Sequence, residues 1–164
     1  MSEKKKVLFV CTGNTCRSPM AEGFFRKLVA ENDDFEVLGS AGVAAFPGDR
    51  ISVESAELLE KHGANGGMDN FQSRAVDDEL LKSATHVFAM TENHLDMLLQ
   101  AFPDCAEKCS LVCDFISLNG KVGIDVPDPI GQGPRAYGAV AQVFEHALPT
   151  LIQFMNGELD EELN

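Results

Sequence analysis

The chain has 164 residues, 45% of them hydrophobic and 24% charged, enough for one domain with a sizeable core and ordinary for a globular protein. Its 26 acids against 13 bases give a formal charge of −13, which disfavours nucleic acid or an anionic membrane as partner, because both need a broad basic face. No apolar run approaches the roughly 20 residues that cross a bilayer, MSEKKK is no signal peptide, and five cysteines without a disulfide framework point to a reducing cytoplasm.

In chain order, VLFV (7–10) reads as a buried strand. Ser18 followed by Pro19 reads as an N-cap with proline at the first helical position, and Ala21, Phe25 and Leu28 give the helix an apolar face. FEVLGSAG (35–42) reads as a second strand. Residues 53–62 read as a helix closed by Gly63, with Lys61 and His62 in its last turn, where cations suit the dipole. HVFAM (86–90) is a third strand, after which Thr91 caps a helix carrying Leu95, Leu98, Leu99 and Phe102. CSLVCDF (109–115) is a weaker fourth strand, with Cys109 and Cys113 on one face. The stripe from Val140 to Met155 is the strongest helical signal, and Pro149 within it is expected to kink it. Residues 1–157 are expected to form one domain, followed by an acidic, frayed tail at 158–164. Strands alternating with helices imply an α/β protein with a parallel sheet covered on both faces. Ligands of such sheets bind at the carboxyl ends of the strands.

One of those ends is the stretch C-T-G-N-T-C-R-S, Cys11 to Ser18. Small residues, a glycine and a helix start let backbone N–H groups form a concave anion nest, aided by the helix dipole. Arg17 adds a planar fork of donors that matches phosphate oxygens in pairs. Cys11 opens the loop where these donors and the arginine favour thiolate over thiol, and a thiolate facing phosphorus is an in-line nucleophile. Ser18 is placed to hydrogen-bond that sulfur. The ATP-type pattern GxxxxGK[ST] is absent. A cysteine phosphatase also needs a proton donor for its leaving group, and Asp128, held extended between Pro127 and Pro129, is the candidate; Asp125 reads as structural.

These residues, together with GSAGV, FAMTENH, the DP pair and the last helix, resemble the low-molecular-weight protein tyrosine phosphatase family almost end to end. The resemblance implies a three-layer sandwich, a four-stranded parallel sheet flanked by helices with the phosphate-binding loop after strand 1. It implies that Cys11 attacks, Arg17 binds phosphate and Asp128 serves as acid and then base, with no metal or cofactor. Thr12, Gly13, Asn14, Thr15, Cys16 and Ser18 complete the loop, Asn14 and Ser40 brace it, and Cys16 can pair with Cys11 under oxidation. The stretch CTGNTCRSPMAE is most similar to the family's bacterial protein arginine phosphatases, which carry threonine at the position of Thr15. A hydroxyl there can meet a guanidine leaving group, where an aliphatic side chain packs against a phenyl ring. Phosphorylated proteins are the implied substrates, cytoplasmic the implied location.

Some positions depart from the family. Ile130 and Gly131 stand where an aromatic follows the DP pair, Phe46 supplies another pocket wall, and Phe71 replaces a histidine that supports the loop. The arsenate reductases share the loop but need two redox cysteines just after the third strand, and HVFAMTENHLDML has none. A binding module without turnover would have lost the cysteine or the aspartate. Cys105, Cys109 and Cys113 read as packing, and His94 and His146 as solvent-facing.

Overall fold

The computed structural model describes residues 3–118 and 120–159; the last five residues of the expected acidic tail, 160–164, lie outside them. Four strands, β1 (Lys5–Cys11), β2 (Phe35–Gly42), β3 (His86–Ala89) and β4 (Cys109–Leu111), form a parallel sheet in the order β2-β1-β3-β4. The helices are α1 (Arg17–Leu28), α2 (Val53–Lys61), α3 (Asp78–Ser83), α4 (Glu92–Ala101) and α5 (Pro134–Met155). The pairs β1–β2 and β1–β3 lie to opposite sides of β1, so the chain changes direction there, and the crevice at such a switch point is where open α/β sheets take ligands. The loop from Cys11 to Ser18 stands over it.

Burial on both faces explains why β1 is apolar without alternation. Val7 and Phe9 point to one side and pack in the core that includes Phe25, Phe88, Phe144, Leu148 and Leu151. Leu8 and Val10 point to the other, with Leu81, Val87 and Leu98. The expected three-layer α/β sandwich is thus present, with α1 and α5 on one face and α3 and α4 on the other.

The β1–β2 register slips by one residue between Val7 and Leu8, so that Leu38 is passed over and Gly39 pairs with Leu8. Gly39 has φ +119°, and a Cβ there would lie 2.9 Å from Arg74 Nη2. The bulge leaves the Leu38 carbonyl free to accept from Arg74 Nη2 at 2.6 Å, and it brings Ser40 opposite Phe9, close behind the loop. A Cβ on Gly42 would lie 2.3 Å from the Thr12 carbonyl oxygen, so only glycine lets β2 end so near β1.

Several expectations change. The fourth strand stops at Leu111, because the Asp114 carboxylate accepts the Leu111 N–H at 2.7 Å and closes a turn. Cys109 and Cys113 therefore do not share a strand face: Cys113 joins the α1–α5 core and Cys109 packs against the other. The six-residue α3, a 3-10 helix at Pro103–Lys108 and a small hairpin, β5 (Ser117–Leu118) with β6 (Lys121–Val122), had no expectation. The helix α5 runs through Pro149 as one element.

Candidate active site

The loop hangs between β1 and α1. Helix α1 begins at Arg17, with Cys16 in the capping position and no side-chain cap. Ser18 was expected to cap it, but its hydroxyl turns back into the loop and lies 2.8 Å from Cys11 Sγ. No backbone acceptor is found, among the described residues, for the N–H groups of residues 12–16. With the uncapped helix start they form a set of unused donors beside the sulfur, the arrangement that binds anions.

Behind the loop lies a chain of hydrogen bonds whose directions are set by the Glu22 carboxylate and by the Asn14 amide. The Glu22 carboxylate, 3.0 Å from Arg26 Nε, can only accept, so the Ser40 hydroxyl gives it its proton at 2.8 Å. Ser40 then accepts from Asn14 Nδ2 at 2.8 Å, and the same amide donates to Ser18 Oγ at 2.9 Å. Ser18, accepting from Asn14, keeps its own proton, which it can donate to a Cys11 thiolate. Such a donor favours thiolate over thiol. Asn14 carries φ +57°, a left-handed conformation that asparagine tolerates better than most side chains. The Arg74 backbone N–H, 3.0 Å from Asn14 Oδ1, fixes which end of the amide faces the serines. Phe71, at the position where the resemblance has histidine, packs at the edge of the core; Glu22 and Arg74 brace Ser40 and Asn14 instead.

Arg17 is only 7% exposed. Its Nη1 donates to the Val126 carbonyl at 3.0 Å, the one hydrogen bond found for its five N–H donors among the described residues. Its Nη2 lies 3.9 Å from Asp128 Oδ2. The Asp128 side chain is 55% exposed, and its other oxygen accepts the Ile130 N–H at 3.0 Å, a local turn that fixes the carboxylate over the guanidinium. The segment carrying it is anchored at the end of β3: the Val126 N–H reaches the Met90 carbonyl, and Asp125 Oδ1 accepts the Glu92 N–H at the start of α4.

On the other side, the segment after β2 follows the loop closely. The N–H groups of Val43, Ala44 and Ser52 donate to the carbonyls of Cys11, Thr12 and Thr15. Thr15 is half-buried, with its hydroxyl 3.7 Å from Cys16 Sγ. Cys16 is buried, 3.4 Å from the Tyr137 hydroxyl. Burial and that contact push the Tyr137 phenol up to about 12, so it keeps its proton. Phe46 is 77% exposed and Ile130 59% exposed, on the two segments that flank the loop.

His94 overturns its expectation. Instead of facing solvent it is 3% exposed, because it lies one helical turn before Leu98 on the buried face of α4. Its Nε2 is 2.6 Å from Thr12 Oγ1. Burial first, then the Arg17 charge, lower its pKa to about 4 against the opposing pull of Asp125 and Asp128. Glu22 and Arg74 were also passed over. The i, i+4 spacing of Ser18 with Glu22 and of His94 with Leu98 was the available signal for two of the three; Arg74 sits in a segment without periodicity.

A family model described as "Low molecular weight phosphotyrosine protein phosphatase" matches residues 6–163. A protein-arginine-phosphatase of Bacillus subtilis (strain 168) is 37% identical over 147 residues, 88% of this chain and 93% of that protein. The solved YwlE arginine phosphatase of Geobacillus stearothermophilus superposes with a TM-score of 0.81 at 34% identity, covering 94% of each chain. A YwlE arginine phosphatase mutant with a phosphorylated active-site serine superposes at 0.79 with 32% identity, over 97% of this chain and 99% of that one.

Proposed function

This chain belongs to the low molecular weight phosphotyrosine protein phosphatase family, and on that premise we propose that it hydrolyses phosphorylated protein side chains through Cys11, with phosphoarginine as the preferred substrate. The observation that carries the chemistry is the hydrogen-bond chain from Glu22 to Ser18, which holds the Ser18 hydroxyl 2.8 Å from Cys11 Sγ, where it can donate to the thiolate.

In the first step the Cys11 thiolate attacks phosphorus in line, an S–P bond forms and the bond to the leaving oxygen or nitrogen breaks. Arg17 and the N–H groups of the loop hold the equatorial oxygens, where charge gathers in the transition state. Asp128, fixed above Arg17, protonates the leaving atom. In the second step Asp128 takes a proton from water, the water oxygen attacks phosphorus and the Cys11 thiolate leaves, stabilised by Ser18. No metal is required.

Thr15 supports the choice of phosphoarginine. Among the described residues its hydroxyl has only a weak sulfur contact, so it is free to meet a guanidine nitrogen. The similar arginine phosphatases point the same way. The test compares kcat/KM on phosphoarginine and phosphotyrosine peptides of one sequence for wild type and Thr15→Ile. The expected result is a wild-type preference for phosphoarginine that falls about tenfold in the variant, the size of one lost polar contact. An unchanged preference removes Thr15 as selector.

A further inference from the structure

The loop holds a second threonine whose surroundings differ from those of Thr15. Thr12 follows the nucleophile, is exposed, and turns its carbonyl towards the segment after β2, where it accepts the Ala44 N–H at 3.0 Å. Its hydroxyl points the other way, to His94 Nε2 at 2.6 Å. His94 stands in the first turn of α4, with its backbone N–H donated to Thr91 Oγ1 at 3.1 Å. The charged groups around its ring are Arg17, Asp125 and Asp128. Asp125 accepts the Glu92 N–H at the start of the same helix, which ties the segment carrying Asp128 to α4 and puts the Thr12–His94 pair on the Asp128 side of the mouth.

Among the described residues His94 Nδ1 is the one fully buried side-chain nitrogen or oxygen without a hydrogen-bond partner. At neutral pH the ring is neutral and carries a single N–H. If that proton were on Nδ1, a buried donor would be left unpaired, the rarer and costlier defect. On Nε2 it is donated to Thr12 Oγ1, and only an acceptor is left without a partner. Thr12 Oγ1 then has one lone pair occupied and its rotamer fixed, and among the described residues its second lone pair and its own proton have no partner.

Resting on the phosphatase reading above, we propose that His94 is a positioning residue that holds the Thr12 hydroxyl as a specificity-determining contact for the leaving group, and that this contact selects guanidine over phenol. A guanidine leaving group presents N–H donors beside the nitrogen bonded to phosphorus, and the free lone pair of Thr12 can accept one of them. A phenyl ring has only C–H groups there, so it leaves that polar oxygen without a partner. Hydrogen-bonding sites discriminate most strongly in this way.

The test measures kcat/KM on matched phosphoarginine and phosphotyrosine peptides for wild type, Thr12→Val, His94→Leu, His94→Gln and the Thr12→Val/His94→Leu double variant. The quantity read is the ratio of the two constants, which cancels any loss common to both substrates. The ratio is expected to fall about tenfold in Thr12→Val and in His94→Leu. It falls no further in the double variant, and it recovers in His94→Gln, whose amide nitrogen can donate as Nε2 does. Thr12→Val alters an exposed side chain, so it decides the question even if a His94 variant fails to fold. A ratio unmoved by Thr12→Val overturns the inference, as do losses that add in the double variant. Wild type that prefers phosphoarginine, with a ratio sensitive to Thr15→Ile but not to Thr12→Val, overturns this inference alone. Wild type that acts on phosphotyrosine only overturns both substrate readings, and full turnover by Cys11→Ser overturns the catalytic one.

Discussion

Behind the loop, Ser18, Asn14, Ser40 and Glu22 are buried and, in that order, each is hydrogen-bonded to the next, whereas at its mouth Phe46, Asp128 and Ile130 are more than half exposed. The rear leaves little freedom: the Glu22 carboxylate sets the direction of the Ser40 bond, and the Arg74 N–H on Asn14 Oδ1 turns the amide nitrogen towards both serines. The mouth is held by short local contacts, the turn at Asp128 and the backbone bonds along residues 43–52. The difference separates two tasks. On the proposed mechanism the rear prepares the sulfur and is indifferent to what the phosphoryl group is attached to, while the mouth meets the rest of the substrate.

The comparison breaks most visibly at Asp128. Asp128→Ala is expected to lower kcat/KM about 10²–10⁴-fold on substrates with poor leaving groups and much less on an activated aryl phosphate, which leaves without a proton. Equal losses on both, measured by steady-state kinetics, would take the acid role away from Asp128.

His94 joins the two sides, and its protonation is read as stability. Its pKa is lowered to about 4 in the folded protein from about 6.5 when unfolded, so between these values the unfolded chain binds more protons. Stability therefore rises with pH through this window, and the site's contribution is lost as pH falls from about 6.5 to about 4. The loss is about 1.4 kcal/mol per pH unit, or about 3 kcal/mol across the window. Arg17 opposes protonation, while Asp125 and Asp128 favour it. Urea unfolding of wild type and His94→Gln between pH 7 and 4 checks this: the variant should lose this part of the acid slope, and parallel curves would contradict it.

A smaller effect is expected at Glu22. Glu22→Ala removes the acceptor of the Ser40 hydroxyl, at a cost of about 1.5–3 kcal/mol in unfolding free energy for a hydrogen bond to a charged group. Turnover should fall with both phosphoarginine and phosphotyrosine by the same factor, because the rear does not sense the leaving group. A change in the preference between them would break the division of tasks.

The sheet and the loop were legible in the residue pattern, short apolar runs between helical periods with small residues and an arginine opening the first helix, and the resemblance added Asn14 and Ser40 as the brace. Cys11, Arg17, Asp128, Asn14, Ser18 and Ser40 were named from these two sources, and the structure brings them together. What was not legible arose between segments distant in sequence. Arg74 reaches Asn14 and Ser40 from a stretch with no periodicity, through a β-bulge at Gly39 that no local signal marks. Ser18 looked like an N-cap because serine before proline usually is one. Here the free helix start faces the loop, and the hydroxyl was needed elsewhere. His94 looked solvent-facing because a lone polar residue in a first turn generally is; its place over Leu98 on the buried face was the better guide.

The most direct test of the account follows the phosphoryl group. Asp128→Ala, mixed with an activated aryl phosphate, loses the base for the second step, so the intermediate should accumulate. Rapid quenching followed by peptide mass mapping is predicted to find one phosphoryl group on Cys11 and on no other residue. Turnover of the same substrate with Cys11 unmodified would contradict the mechanism.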